Sequence, residues 1–220
     1  MVKTMTIATI DIGGTGIKFA SLTPDGKILD KTSIPTPENL EDLLAWLDQR
    51  LSEQDYSGIA MSVPGAVNPE TGVIDGFSAV PYIHGFSWYE ALSSYQIPVH
   101  LENDANCVGL SELLAHPEIE NAACVVIGTG IGGAMIINGR LHRGRHGLGG
   151  EFGYMTTLAP AEKLNNWSQL ASTGNMVRYV IEKSGQTDWD GRKIYQEAAA
   201  GNVLCQEAIE RMNRNLAQGL

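Results

Sequence analysis

The sequence predicts an α/β protein of two related lobes, each ordered β-β-β-α-β-α-β-α, with the second lobe incomplete. Three observations carry this. Short β-branched apolar runs alternate with helix-period patterns along the chain. The pattern then restarts: an offset of 114 residues lays Gly14-Thr15-Gly16-Ile17 on Gly128-Thr129-Gly130-Ile131, and Ala8 and Ala20 on Ala122 and Ala134. Finally, 25 of the 220 residues are glycine, above a background of roughly 7%, and they gather where strands end.

Thr6 to Ile12, Gly16 to Leu22 and Lys27 to Ile34 read as three strands, with Thr23-Pro24-Asp25-Gly26 as the turn between the last two. Leu40, Leu43, Leu44, Leu47 and Leu51 then fall on one face of a helix from about Asn39 to Glu53. Gly58 to Val63 is a strand ending at Pro64-Gly65, and Ala66 to Ser87 is loop-rich. Ser87 and Glu90 have capping-box spacing for a short helix. Pro98 to Glu102 is a further strand, and Asn103 to Ala115 a helix that stops before Pro117.

In the second lobe, Ala122 to Leu141 gives a strand, a glycine turn, a strand and an Asn138-Gly139 hairpin turn. An irregular stretch, Gly144 to Trp167, precedes a helix from about Gln169 to Ser184 and a helical pair broken at Gly201-Asn202. Leu204, Ala208, Ile209, Met212 and Leu216 share a face of the last helix. The boundary near residues 116 to 121 predicts an N-terminal domain of 1–118 and a larger C-terminal domain of 119–220. No third strand pair completes the second lobe, so a shortened chain is expected.

Composition excludes several classes. With 43% hydrophobic and 18% charged residues, global disorder is ruled out. Fifteen basic against 25 acidic side chains, a net charge of −10, leave no basic footprint for nucleic acid. No apolar run reaches the roughly 18 to 20 residues that span a bilayer, so no membrane partner is expected. Met1-Val2-Lys3-Thr4-Met5 lacks a signal peptide's apolar core, which predicts a cytoplasmic protein. Cys107, Cys124 and Cys205 match neither a disulfide framework nor a metal knuckle and read as small core hydrophobes.

The chemistry lies in the loops. Gly128-Thr129-Gly130-Ile131-Gly132-Gly133 satisfies G-x-G-x-x-G, but the apolar strand Ala134-Met135-Ile136-Ile137 follows it where a dinucleotide fold needs a helix. The glycines fit better in a hairpin whose backbone N–H groups face an anion. The first loop adds charge: Asp11 ends a strand, Gly13-Gly14-Thr15 allows close approach, and Lys18 lies on the next strand. Mg2+ would use Asp11 directly or through water, while Thr15 and the amides hold phosphate oxygens; an ordinary Asp11–Lys18 cross-strand ion pair is the bland alternative.

Glu102-Asn103-Asp104-Ala105-Asn106 closes a strand and opens a helix. An Asp104 carboxylate held ionised by the helix N-terminus could act as general base, and Asn103 could donate to and accept from a sugar hydroxyl. The alternative is an N-cap. Gly149-Gly150-Glu151-Phe152-Gly153-Tyr154 offers a carboxylate to polyol hydroxyls, or is an exposed turn. His142 and His146 sit among glycines with no cysteine near, a poor zinc site. No Gly-x-Ser-x-Gly elbow supports a hydrolase.

In order and spacing, Asp11 to Lys18, Pro64-Gly65-Ala66-Val67-Asn68, Glu102 to Asn106, Gly128 to Gly133 and Gly149 to Gly153 resemble the ROK family of bacterial sugar kinases and repressors, over nearly the whole chain. The resemblance implies an actin-like, ribonuclease-H-like two-domain fold with ATP-Mg2+ and sugar meeting in a cleft, and relatives that are often homodimers. It implies Asp104 as the base that takes the proton from a sugar hydroxyl, at C6. Gly65, Ala66, Ser78, Asn103, Glu151 and Tyr154 fall at sugar-contacting positions. Asp11, Gly13, Gly14, Thr15, Lys18, Gly128, Thr129, Gly130 and Gly133 fall in the phosphate and metal loops.

The chain also departs from the family. Where a histidine and a cysteine-rich zinc motif are usual, it has Gly153-Tyr154 and a cysteine-free run from Met155 to Ala171. Zinc is therefore not expected, and Tyr154 and about Ser168 stand near positions that touch zinc and sugar. A Tyr154 wall suits a pyranose ring, a β-glucoside or a disaccharide. The leading expectation is an ATP-dependent hexose or β-glucoside kinase, glucokinase-like. The alternatives are a catalytically silent sugar binder and a sugar-responsive regulator, the latter lacking room for a helix-turn-helix before Thr6.

Overall fold

The computed structural model describes residues 5–156 and 165–220. Met1 to Thr4 and residues 157–164 of the irregular stretch lie outside the described residues. The chain forms two units. One comprises Met1–Cys107 with Arg145–Gly147, the other Val108–Gly144 with Leu148–Leu220.

In the first unit, β1 (Ile7–Ile12), β2 (Gly16–Leu22), β3 (Ile28–Pro35), β4 (Gly58–Val63) and β7 (Val99–Asn103) make one sheet in the order β3-β2-β1-β4-β7. The first three strands are an antiparallel meander, whereas β4 runs parallel to both β1 and β7. Strands β1 and β4 alternate half-buried with buried residues, which sends Ala8, Ile10, Ile12, Ile59, Met61 and Val63 into the core. Helix α1 (Leu40–Leu51) starts at Asn39, whose side chain accepts the Asp42 N–H, and buries Leu43, Leu47 and Leu51 in the same core. Burial of each such leucine is worth about 1.5–3 kcal/mol.

The stretch after Val63 is more ordered than its composition suggests. Ala66–Val67 (β5) pairs antiparallel with Ile74–Asp75 (β6), and a 3-10 turn, Pro81–Ile83, precedes α2 (Trp88–Ala91). These strands are too short for periodicity to register; buried Val67, Ile74, Val80, Ile83 and Trp88 hold them instead. Ser87 caps α2 by accepting the Glu90 N–H. Helix α3 (Asp104–Ala115) follows β7, and the two units divide within it.

In the second unit β8 (Ala122–Ile127), β9 (Ile131–Ile137) and β10 (Arg140–Leu141) form a sheet in the order β10-β9-β8. Asn138 (φ 53°) and Gly139 (φ 67°) turn β9 into β10 as a two-residue hairpin. The remaining described elements are helical: α4 (Trp167–Ala171), α5 (Thr173–Ser184), α6 (Gly191–Ala199) and α7 (Val203–Gly219). The expected single helix from Gln169 is thus two. Buried Ser172 adopts extended backbone and caps α5 by accepting the Asn175 N–H, and Asn166 with Gln169 forms a capping box on α4.

The repeat also needs one correction. Ile12 faces Ile17 across four residues, but Ile127 faces Ile131 across three. The gapless offset therefore holds only on the second strand of each hairpin, and the counterpart of Ala8 is Ala123 rather than Ala122.

Candidate functional site

In the first unit, two loops and a helix start gather most of the predicted residues. Asp11 and Lys18 are register partners on β1 and β2, and Lys18 Nζ lies 2.7 Å from Asp11 Oδ2. The other Asp11 oxygen accepts the Ser62 hydroxyl at 2.9 Å from β4. The cross-strand ion pair therefore exists, and it carries a third member that the sequence reading missed. Ser62, the one hydroxyl in Gly58–Val63, was the available signal. Gly13 donates to the Gly16 carbonyl at 3.1 Å, closing the loop, and Thr36 Oγ1 donates to the Gly13 carbonyl at 2.5 Å. Gly14 and Thr15 at its tip are exposed. A Cβ on Gly14 would come 2.6 Å from Ala79 Cβ, so glycine here lets Ala79 pack against the loop.

Gly65 is a corner. At φ 111° it favours glycine, and a Cβ there would meet Ile74 Cγ2 at 2.8 Å, the Asp75 carbonyl at 2.9 Å and His84 Cε1 at 3.0 Å. Its carbonyl accepts from Asn103 Nδ2 at 3.0 Å, while Asn103 Oδ1 accepts the Asn106 N–H at 3.1 Å. Asn103 is buried and serves as the N-cap of α3, with Asp104 in the first turn. Ala66 is buried in β5 behind this corner. Ser78 Oγ lies 2.7 Å from His84 Nε2 and accepts the Val80 N–H at 3.1 Å.

Asp104 is open to solvent, and its Oδ1 accepts the Ala105 N–H at 2.8 Å. Protein crowded around its remaining sides displaces water, and this desolvation is the largest influence on the carboxyl. The pKa is raised, against the lowering by the Ala105 N–H and with a further push from the Asp11 charge. The helix N-terminus favours the ionised carboxylate and desolvation opposes it, so the pKa moves up from the ordinary aspartate value. Cys107, one turn on, has its thiol pushed up to about 11 by desolvation and then by the Glu102 charge.

In the second unit the glycine hairpin closes by the Gly128 N–H to the Gly130 carbonyl at 2.8 Å, and Gly128, Thr129 and Gly130 are exposed. Two helix starts brace it. Ser168 Oγ on α4 accepts the Ile131 N–H at 2.9 Å, and Gly174 on α5 donates to the Gly128 carbonyl at 3.3 Å. A side chain on Gly174 would run into the Thr129 carbonyl. Neither Ser168 nor Gly174 belongs to a motif in the sequence, so their support of the loop comes from the fold alone.

Gly133 stands apart from that loop. It lies buried within β9, where a Cβ would strike the Phe152 ring and the Cys124 carbonyl. The Gly149 to Gly153 segment is likewise more than an exposed turn. A Cβ on Gly150 would sit 2.5 Å from the Gly133 carbonyl, and one on Gly153 would strike the Ile131 carbonyl. Backbone laid on backbone at both glycines fixes half-buried Glu151 between them, ahead of the 3-10 turn Phe152–Tyr154. Tyr154 is 65% exposed. His142 and His146 are exposed, and among the described residues no group of three His, Cys, Asp or Glu side chains is placed to hold a metal ion.

The ROK family model matches residues 7–220. A β-glucoside kinase of Listeria monocytogenes serovar 1/2a is 35% identical, over 98% of this chain and 77% of that protein. The crystal structure of a ROK family protein from Streptococcus pneumoniae TIGR4 in complex with sucrose is 97% identical, with a TM-score of 0.89 over 98% of this chain and 75% of that one. A ROK family glucokinase from Streptomyces griseus, solved with glucose and AMPPNP, is 23% identical and shares the fold, at a TM-score of 0.80 over 97% of this chain and 77% of that one. The fold is the actin-like, ribonuclease-H-like one, with its meander followed by parallel strands in the order β3-β2-β1-β4-β7. By family match, identity and fold together, this chain belongs to the ROK family.

Proposed function

We propose that the protein is an ATP-dependent carbohydrate kinase that moves the γ-phosphate of ATP to the C6 hydroxyl of a hexose or β-glucoside. The observation that carries the reading is Asp104: an accessible carboxyl, made more basic by its surroundings, on the helix that Asn103 caps against Gly65. The kinase activity named for relatives such as the Listeria β-glucoside kinase supports it.

The roles follow from the groups. Asp104 Oδ1 is engaged by the Ala105 N–H, so Oδ2 takes the proton from the sugar hydroxyl. As it does, the sugar oxygen bonds to the γ-phosphorus, the bond from that phosphorus to the β-bridging oxygen breaks, and ADP leaves. Phosphoryl transfer asks chiefly for positioning and charge neutralisation. The exposed tips Gly14-Thr15 and Thr129-Gly130 offer backbone N–H groups and hydroxyls to phosphate oxygens, with glycines where a side chain would obstruct. Both Asp11 oxygens are engaged, by Lys18 and Ser62, so Asp11 suits Mg2+ held through water better than a direct bond.

In the first unit Gly65, Ser78 and Asn103 are assigned to sugar contact; in the second, Glu151 offers a carboxylate to hydroxyls and exposed Tyr154 a ring face to a pyranose. The sucrose bound by the 97% identical protein supports a site that admits a disaccharide.

The test is ADP release from ATP-Mg2+ across hexoses, their N-acetyl amines and β-linked disaccharides. Sugar-dependent turnover is expected, and Asp104→Asn should lower kcat by about 10²–10⁴ while sugar binding persists. Turnover that survives in Asp104→Asn removes Asp104 as the base. Binding without turnover in the parent protein leaves a sugar binder.

A further inference from the structure

The Ser78–His84 pair carries an inference about how substrate is read, and it rests on the sugar-binding reading above. Ser78 Oγ has one proton and two lone pairs. The Val80 N–H fills one lone pair at 3.1 Å, and His84 Nε2 lies 2.7 Å away. The other ring nitrogen, His84 Nδ1, is sealed from solvent with no hydrogen-bond partner among the described residues. Two tautomers are available. With the proton on Nδ1, a buried N–H would have no acceptor, the kind of orphan that folded proteins rarely keep. With the proton on Nε2, the ring donates into the second lone pair of Ser78, and Nδ1 is left a bare lone pair.

The second tautomer decides what Ser78 can do. Both of its lone pairs are then filled by N–H groups, so its own proton has to find an acceptor outside the pair. The pair's position suits a ligand there. Ala79 packs on Gly14 of the first glycine loop, and His84 Cε1 packs on Gly65, whose carbonyl Asn103 holds. Residues 78–84 thus join the proposed phosphate loop to the proposed sugar corner.

We propose that His84 is a positioning residue which, by donating from Nε2, makes the Ser78 hydroxyl an obligate hydrogen-bond donor to an acceptor oxygen of the sugar. Such a donor needs no proton from the substrate. It accepts a ring, glycosidic or hydroxyl oxygen equally and rejects a position where oxygen is missing.

Titration calorimetry of sugar binding tests this without depending on turnover. The ligands are a preferred glucoside and its monodeoxy and deoxyfluoro analogues. The variants are Ser78→Ala, His84→Leu, His84→Gln and the Ser78→Ala/His84→Leu double variant, each checked for an unchanged melting transition. Wild type should lose about tenfold in affinity at one deoxy position, with part returned by fluorine. That penalty should vanish in Ser78→Ala and in His84→Leu, the double variant should bind no worse than Ser78→Ala, and His84→Gln, whose amide nitrogen reaches the Nε2 position, should restore it. A deoxy penalty that survives in His84→Leu, or losses that add in the double variant, overturns the proposal. So does failure of His84→Gln to recover. A parent protein that binds sugar but releases no ADP fails the kinase reading alone.

Discussion

Lys18 Nζ lies 2.7 Å from Asp11 Oδ2, and Ser62 holds the other oxygen, so the acid at the end of β1 is fixed from both neighbouring strands. Lys18 and Asp11 side chains are 72% and 41% exposed. At that exposure an ion pair contributes about 0.2–1 kcal/mol to stability. Lys18→Met should therefore move the urea midpoint little. If Lys18 serves phosphate, the same substitution raises the KM for ATP severalfold in steady-state assays. A large midpoint shift with unchanged KM would assign the pair to folding alone.

Asp104 supplies a prediction in the opposite sense. Its folded pKa is raised, chiefly by desolvation, above the unfolded 3.8. Between those two values the folded state binds more protons than the unfolded one, so stability falls as pH rises through that window. The cost is fully present above the folded pKa and absent below the unfolded one. An asparagine in its place would keep an oxygen for the Ala105 N–H without the charge. Asp104→Asn should thus melt higher than the parent at pH 7, with the gain shrinking toward pH 4 and vanishing below it. Equal melting temperatures at every pH would show that desolvation does not govern this carboxyl.

The thiols follow the same physics. Burial and the Glu102 charge lift Cys107 to about 11, leaving roughly one thiolate in a thousand at pH 8. Burial likewise raises Cys124 and Cys205. Iodoacetamide at pH 8 should leave the folded chain almost unlabelled and label all three cysteines in urea. Rapid labelling of folded Cys107 would contradict the carboxylate-rich setting that surrounds it.

What the sequence made legible were features written in local pattern. The α1 leucines, the Asn138-Gly139 turn and the Asp11–Lys18 register all follow from spacing along one or two strands or turns. Asn103 and Asp104 were legible as a pair, but which of them caps α3 depended on the Gly65 carbonyl, 38 residues away in the chain. Ser62, His84 and the support that Ser168 gives the second glycine loop stayed hidden for the same reason: each acts on a partner brought to it by the fold. The β5–β6 hairpin escaped because two-residue strands have no period. The break at Ser172 escaped because helix periodicity passes over a buried cap.

Ser168 tests whether such hidden supports matter. Its hydroxyl accepts the Ile131 N–H where the second glycine hairpin enters β9, and a Cβ on Gly130 would come 2.9 Å from that same oxygen. Ser168→Ala leaves that N–H without its partner, at a cost of about 1–3 kcal/mol, and removes the atom that braces the loop tip. A loop that holds phosphates through backbone N–H groups depends on its conformation rather than on any side chain. The expected signature is therefore a lower urea midpoint together with a raised KM for ATP, while the sugar Kd measured without nucleotide stays within twofold. Ser168→Thr, which keeps the acceptor oxygen, should recover most of both losses. A variant that binds sugar less tightly and nucleotide normally would instead move Ser168 to the sugar side.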